Sequence, residues 1–128
     1  IQNTFFPPNQ PSARRAYEFG KVVKKAIDSW ASDKKVAVFG SGGMSHFVID
    51  ENFDQRFIKA LRDGDKDYLC SIPLAQLQSG TSELKSWISL AGLMEDMKVE
   101  MHQIDYVPCY RSSAGTGTAN GFFWWDVK

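Results

Sequence analysis

The side chains best suited to move a proton or hold a metal are few in this sequence. There are two histidines, His46 and His102, set among fifteen acidic residues. His46 ends the run Gly40-Ser41-Gly42-Gly43-Met44-Ser45-His46, which follows the apolar stretch Val36-Ala37-Val38-Phe39. Four apolar residues bounded by Lys34-Lys35 and a glycine cluster predict a strand buried on both faces, with the glycines turning the backbone sharply just past it. An exposed loop residue on a rigid scaffold carries function more often than a core residue does. A lone histidine after a strand is most often a satisfied structural residue; its glycine-rich approach and its place in a loop raise His46 as a candidate for chemistry, of a kind these residues leave open.

Three other readings of this loop fail on spacing. A dinucleotide fingerprint needs its helix at once, but here the next helix starts only near residue 51 and Ser45 stands at the third glycine position. No Walker lysine is present. Ser45 is not the nucleophile of a Gly-x-Ser-x-Gly elbow, because Phe47 stands where the last glycine belongs. His102 sits at a polar position of an alternating strand and reads as a solvent-facing or hydrogen-bonded strand residue. Glu83, in Ser79-Gly80-Thr81-Ser82-Glu83, falls in the first turn of a predicted helix. A carboxylate there ordinarily complements the helix dipole; the alternative is a metal ligand, as in non-heme Fe(II) sites built from a carboxylate and imidazoles.

The elements that must position these residues follow from periodicity. Ile1–Phe6 reads as a short strand ended by Pro7 and Pro8. Ala16, Phe19, Val23, Ile27 and Trp30 mark a helix over 12–30, with Pro11 suited to its first turn. Asp50 or Asn52 caps a second helix whose stripe is Phe53, Phe57, Ile58 and Leu61, stopped at Asp63-Gly64-Asp65. A short helix is expected around Tyr68-Leu69, with a further turn opening at Pro73. The helix from Ser79 carries Leu84, Trp87, Ile88, Ala91 and Leu93 inward and ends near Asp96. A strand over 98–107 changes parity after His102, which predicts a bulge near Gln103, and Pro108 ends it. Cys109–Gly121 reads as a loop, and Gly121–Val127 as a last short strand. Strands alternating with helices give an α/β fold, expected as a three-layer α/β/α arrangement around a largely parallel or mixed sheet. If the strands are parallel, Pro7 to Ser12, Gly40 to Phe47, Ser79 to Glu83 and Cys109 to Gly117 would share one crevice at the carboxyl edge, with His46 and Glu83 as its titratable members.

Composition sets the outer bounds. With 128 residues, 43% hydrophobic and 23% charged, the chain is long enough for one globular domain with its own core. Fifteen basic residues balance fifteen acidic ones, so no charge excess points to nucleic acid or a membrane surface. Cys70 and Cys109 form no CxxC and suit a reducing, cytoplasmic setting. No apolar run approaches the length of a membrane span. The chain begins at Ile1 inside a predicted strand, and is expected to be a piece of a longer polypeptide.

Four segments in this order, Thr4-Phe5-Phe6-Pro7-Pro8, Arg15 to Ile27, Gly40 to His46 and Ser79 to Trp87, together resemble the C-terminal half of class III, LigB-like extradiol ring-cleavage dioxygenases. The likeness is to the catalytic subunit that opens protocatechuate and to its gallate-cleaving relatives. It runs over nearly the whole of residues 1–128, is most specific in Gly-Gly-Met-Ser-His and is loosest from Tyr110 to Gly121. The resemblance implies that His46 is the acid/base and that Glu83 is a ligand to Fe(II). It points loosely to Ser112, Ser113 and Ala114 as lining the substrate pocket. It further implies a catechol-type aromatic acid and O2 as reactants, and a small partner subunit or a homo-oligomer as company. In that chemistry the metal templates and polarises the reactants, while a neutral histidine takes up and returns a phenolic proton. The family's two other iron-binding histidines have no counterpart here, since neither His46 nor His102 occupies those positions. By itself the chain is then expected to bind Fe(II) weakly and to cleave no catechol; the alternative is a partial LigB-like domain with a structural, subunit-packing role.

Overall fold

The computed structural model describes residues 8–127. Four α-helices and three strands follow one another: α1 (Ala13–Asp28), β1 (His46–Val48), α2 (Glu51–Asp63), α3 (Lys66–Ser71), α4 (Leu84–Leu93), β2 (Val99–Tyr110) and β3 (Thr116–Val127). Short 3-10 turns at Leu74–Gln76 and Ser79–Glu83 lead into α4. The expected strand Ile1–Phe6 lies outside the described residues.

Local chemistry sets the helix ends where the sequence places them. Ser12 caps α1 by accepting the Arg15 N–H at 3.1 Å, and Asp50 caps α2 by accepting the Phe53 N–H at 3.0 Å. Gly64 closes α2 in the left-handed conformation, φ +65°. The short helix at Tyr68-Leu69 is α3, capped by Asp65. The buried face of α1 departs from expectation: Ala13, Ala16, Tyr17 and Gly20 are buried, whereas Phe19 and Trp30 are exposed.

The sheet differs most from expectation. Its order is β1-β3-β2, and both pairings are antiparallel. No parallel pair occurs among the described residues. Val36–Gly40 is not a strand among them either: it runs as irregular chain, and Phe39 is 86% exposed. Nor does Pro108 end β2. It pairs with Ala119 on an edge strand, where a missing N–H is tolerated. The long loop expected from Cys109 to Gly121 shrinks to a tight hairpin turn closed by Arg111 N–H to Thr116 O at 2.7 Å. The bulge foreseen near Gln103 is present, as a register shift between Gln103 and Asp105.

Packing organises these elements around α4. Trp87 meets Phe123 edge-on at 5.5 Å and Trp125 at 6.5 Å, seating α4 on the inner face of β3. Its other side lies against α1 so closely that a Cβ on Gly92 would come within 2.0 Å of the Tyr17 carbonyl oxygen, and one on Gly20 within 1.8 Å of the Ser89 carbonyl oxygen. Phe57, Ile58, Leu69, Leu84 and Ile88 fill the space between α2, α3 and α4. Phe122 and Trp124 of β3 and Ile104 of β2 are exposed.

One residue defies this apolar surround. Lys85 is fully buried on α4, and its Nζ has no hydrogen-bond partner among the described residues. Burial lowers its pKa below the ordinary lysine value. The unfolded chain therefore holds this proton over a pH range in which the folded chain releases it, so stability rises with pH across that range. Lys85→Met, which removes an unpaired buried amine, is expected to stabilise the fold by about 1–3 kcal/mol and to flatten that alkaline rise, as read by denaturant titration at several pH values.

Candidate active site at the glycine turn

The glycine turn is held from three sides. Met44 N–H donates to the Ala119 carbonyl at 2.8 Å, and Ala119 N–H donates back to the Ser45 carbonyl at 2.9 Å, which binds the turn to β3. The Thr81 hydroxyl accepts the His46 N–H at 3.0 Å, and the Trp87 indole N–H donates to the Gly42 carbonyl at 3.0 Å. These bonds reach the 3-10 turn and α4. His46 and Glu83 therefore meet through antiparallel pairing and side-chain hydrogen bonds, not at the carboxyl edge of a parallel sheet.

The two residues face each other at close range. His46 Nε2 lies 3.6 Å from Glu83 Oε2, and the same oxygen accepts the Gly43 N–H at 2.7 Å. The opposite ring nitrogen, Nδ1, is 2.9 Å from the Met44 carbonyl oxygen. A carbonyl only accepts, so Nδ1 carries the proton and Nε2 of the neutral ring presents a lone pair toward Glu83. His46 is mostly shielded while Glu83 is half exposed, so the pair opens to solvent on the carboxylate side.

Glycines make room for this pair. A Cβ on Gly42 would come within 2.6 Å of Glu83 Cβ, at a φ of +138° that already favours glycine. A Cβ on Gly43 would meet His46 Cε1 at 2.7 Å, and one on Gly80 would meet His46 Cγ at 2.6 Å. Immediately after the histidine, Phe47 holds φ at +66°, a conformation costly for an aromatic residue.

Behind the histidine lies a polar cluster that the residue pattern alone did not reveal. Asp54, on α2, is fully buried. Its Oδ1 accepts the Ser45 N–H at 2.9 Å, and its Oδ2 accepts the Ser45 hydroxyl and the Tyr106 hydroxyl, each at 2.7 Å. Ser45 Oγ in turn accepts the Asp50 N–H at 2.9 Å. Ser45 is thus a buried structural hydroxyl, in keeping with its rejection as a nucleophile. Burial raises the Asp54 pKa above the ordinary carboxylate value, against the lowering effect of its hydrogen bonds. Tyr106 is raised by burial and by its bond to Asp54. The available signal was phase: Asp54 lies three, four and seven residues before Phe57, Ile58 and Leu61, on the apolar stripe itself.

The other anticipated residues fall elsewhere. Ser112, Ser113 and Ala114 form the exposed tip of the β2–β3 hairpin, where Ser112 Oγ is 2.7 Å from Thr116 Oγ1 and accepts the Ala114 N–H at 3.3 Å. These bonds stay within the hairpin tip and do not reach His46 or Glu83. His102 stacks on Trp124 at 4.2 Å, as a strand residue. As for a metal, Glu83 and His46 offer two donors at most, and no group of three or more His, Cys, Asp or Glu is placed to hold one among the described residues. These residues alone do not fit an iron centre of the facial-triad kind. No helix among them is long and apolar enough to cross a membrane.

With this geometry in hand, similarity to known proteins gives the class. Residues 1–123 match the family described as the catalytic LigB subunit of aromatic ring-opening dioxygenase, and the chain belongs to that family. It is similar to a gallate dioxygenase of Pseudomonas putida strain KT2440, with 30% identity over 109 residues, 77% of this chain and 32% of that protein. The chain thus spans about a third of the length of this relative.

Two outcomes test this site. Because the folded state binds the Asp54 proton more tightly than the unfolded state, stability should fall as pH rises from the ordinary carboxylate range through the raised value. Asp54→Asn should abolish that segment of the pH–stability curve. Gly80→Ala should push the His46 ring aside, shifting its imidazole carbon resonances while the methyl resonances of Leu69 and Ile88 stay in place.

Proposed function

We propose that this chain is the acid/base-bearing part of a non-heme Fe(II) dioxygenase that opens a catechol-type aromatic acid, protocatechuate- or gallate-like, by extradiol cleavage with O2. The observation that carries this reading is the orientation of His46. Its Nδ1–H is spent on the Met44 carbonyl, which leaves Nε2 to accept a proton on the side of Glu83. Family membership and the similarity to a gallate dioxygenase support the reaction class. In this reading Glu83 supplies one carboxylate to the iron, together with donors outside the described residues. His46 takes a phenolic proton at Nε2 and returns it later. Ser112, Ser113 and Ala114 reach the substrate from the hairpin tip. The enzyme works in the cytoplasm.

The finer architecture belongs to the same proposal. Val36, Val38 and Phe39 line a groove of about 360 Å3 with Trp87, Leu90 and Trp124. Apolar residues left open in this way support a strand that is completed, in the whole protein, by further sheet partners in a three-layer α/β/α fold. The same open surface favours the second reading, in which a LigB-like domain packs against a small partner subunit or another copy without activity of its own.

The decisive experiment uses the protein as encoded. His46→Gln should lower ring opening by about 10²- to 10⁴-fold while Fe(II) taken up under anaerobic conditions is unchanged. Loss of the iron instead would make His46 a ligand and reject its acid/base role. The 128-residue chain alone should turn over no catechol, and stoichiometric iron with turnover in that chain would overturn the view that donors outside the described residues are required.

A further inference from the structure

We propose that Asp54 is a positioning residue for His46, acting through the single peptide that joins Met44 to Ser45. The inference rests on the proton-transfer role proposed for His46. The two hydrogen bonds concerned lie on opposite edges of that one peptide. Its N–H, from Ser45, donates to Asp54 Oδ1 at 2.9 Å. Its C=O, from Met44, accepts from His46 Nδ1 at 2.9 Å. A peptide is a rigid plane, so fixing the direction of the N–H fixes the direction of the carbonyl. The carbonyl then decides which imidazole nitrogen keeps the proton and where Nε2 points.

Asp54 is built for that task. It is fully buried, and an ionised carboxylate can only accept, so it compels Ser45 N–H, Ser45 O–H and Tyr106 O–H all to donate inward. Tyr106, from β2, braces the second oxygen. Ser45 Oγ, its proton given to Asp54, keeps a lone pair for the Asp50 N–H at the start of α2. The carboxylate never touches the imidazole, and its influence passes entirely through the backbone. A purely structural Asp54 would stabilise the fold without any say in the tautomer of His46.

Nitrogen-15 shifts of the histidine rings in the protein as encoded report which nitrogen is protonated in the neutral ring; the His46 signals are assigned by their loss in His46→Gln. The wild type should show Nδ1–H. Ser45→Ala and Tyr106→Phe leave the Ser45 N–H bond to Asp54 in place and should keep that state. Asp54→Leu, similar in bulk but unable to accept, should shift His46 toward Nε2–H and lower kcat for ring opening tenfold or more with little change in KM. A folded Asp54→Leu protein with Nδ1–H intact overturns the proposal. Should Asp54→Leu fail to fold, Asp54→Asn decides: its Oδ1 still accepts the Ser45 N–H, so Nδ1–H should persist, and a change to Nε2–H refutes positioning through the peptide. The tautomer is read without turnover. Failure of the ring-opening reading therefore shows as an inactive wild type, and failure of the positioning role as an unmoved tautomer.

Discussion

A carboxylate buried without a cation must be met by hydrogen-bond donors, or its desolvation would cost several kcal/mol. Asp54 is met by three such bonds, and they come from the glycine turn and from β2 while Asp54 itself belongs to α2. Three pieces of chain distant in sequence are thereby fixed to one point. The turn carrying His46 has little apolar surface of its own apart from Met44, which is fully buried. Its conformation is set by this polar knot and by the backbone bonds to Ala119. The left-handed Phe47 next door persists because the residues before it are so fully determined.

What the sequence could show about the fold depended on how local the cause was. Caps and stops at Ser12, Asp50 and Gly64 act within a few residues, and the helices they bound are where periodicity puts them. The bulge near Gln103 was legible for the same reason, as a break in alternation. The hairpin was not. Thr116-Gly117-Thr118-Ala119-Asn120 has the composition of a loop, yet it forms a strand because small residues there admit close neighbours. A Cβ on Gly117 would lie 2.1 Å from the Cys109 carbonyl oxygen. Conversely, Val36–Phe39 has the composition of a buried strand, and among the described residues it has no strand to pair with. Strand identity is conferred by partners, and composition gives only a tendency.

The candidate site divides along the same line. His46 and Glu83 were readable because glycine spacing and family resemblance marked them. Their apposition is expected at a parallel sheet edge, whereas among the described residues it is antiparallel pairing with β3 and side-chain hydrogen bonds that bring them together. Asp54 and Lys85 are not marked in the sequence, because each sits in a helix whose pattern its apolar residues already explain. A charge on an apolar stripe contradicts the pattern around it, and such contradictions tend to mark functional or strained positions. The two resolve differently: Asp54 is saturated with donors, whereas the Lys85 amine meets no acceptor among the described residues.

The exposed Val36-Ala37-Val38-Phe39 run bears on how such a chain behaves in a crowded solution. Four consecutive apolar residues, three of them of high β-propensity and none charged, form the kind of segment that templates intermolecular strand addition. The flanks act against this. Lys34 and Lys35 precede the run and Gly40 follows it, so growth of a stacked sheet meets charge repulsion at one end and a conformationally loose residue at the other. The lysines at the head of this run thus serve as gatekeepers, discouraging it from pairing with its own kind.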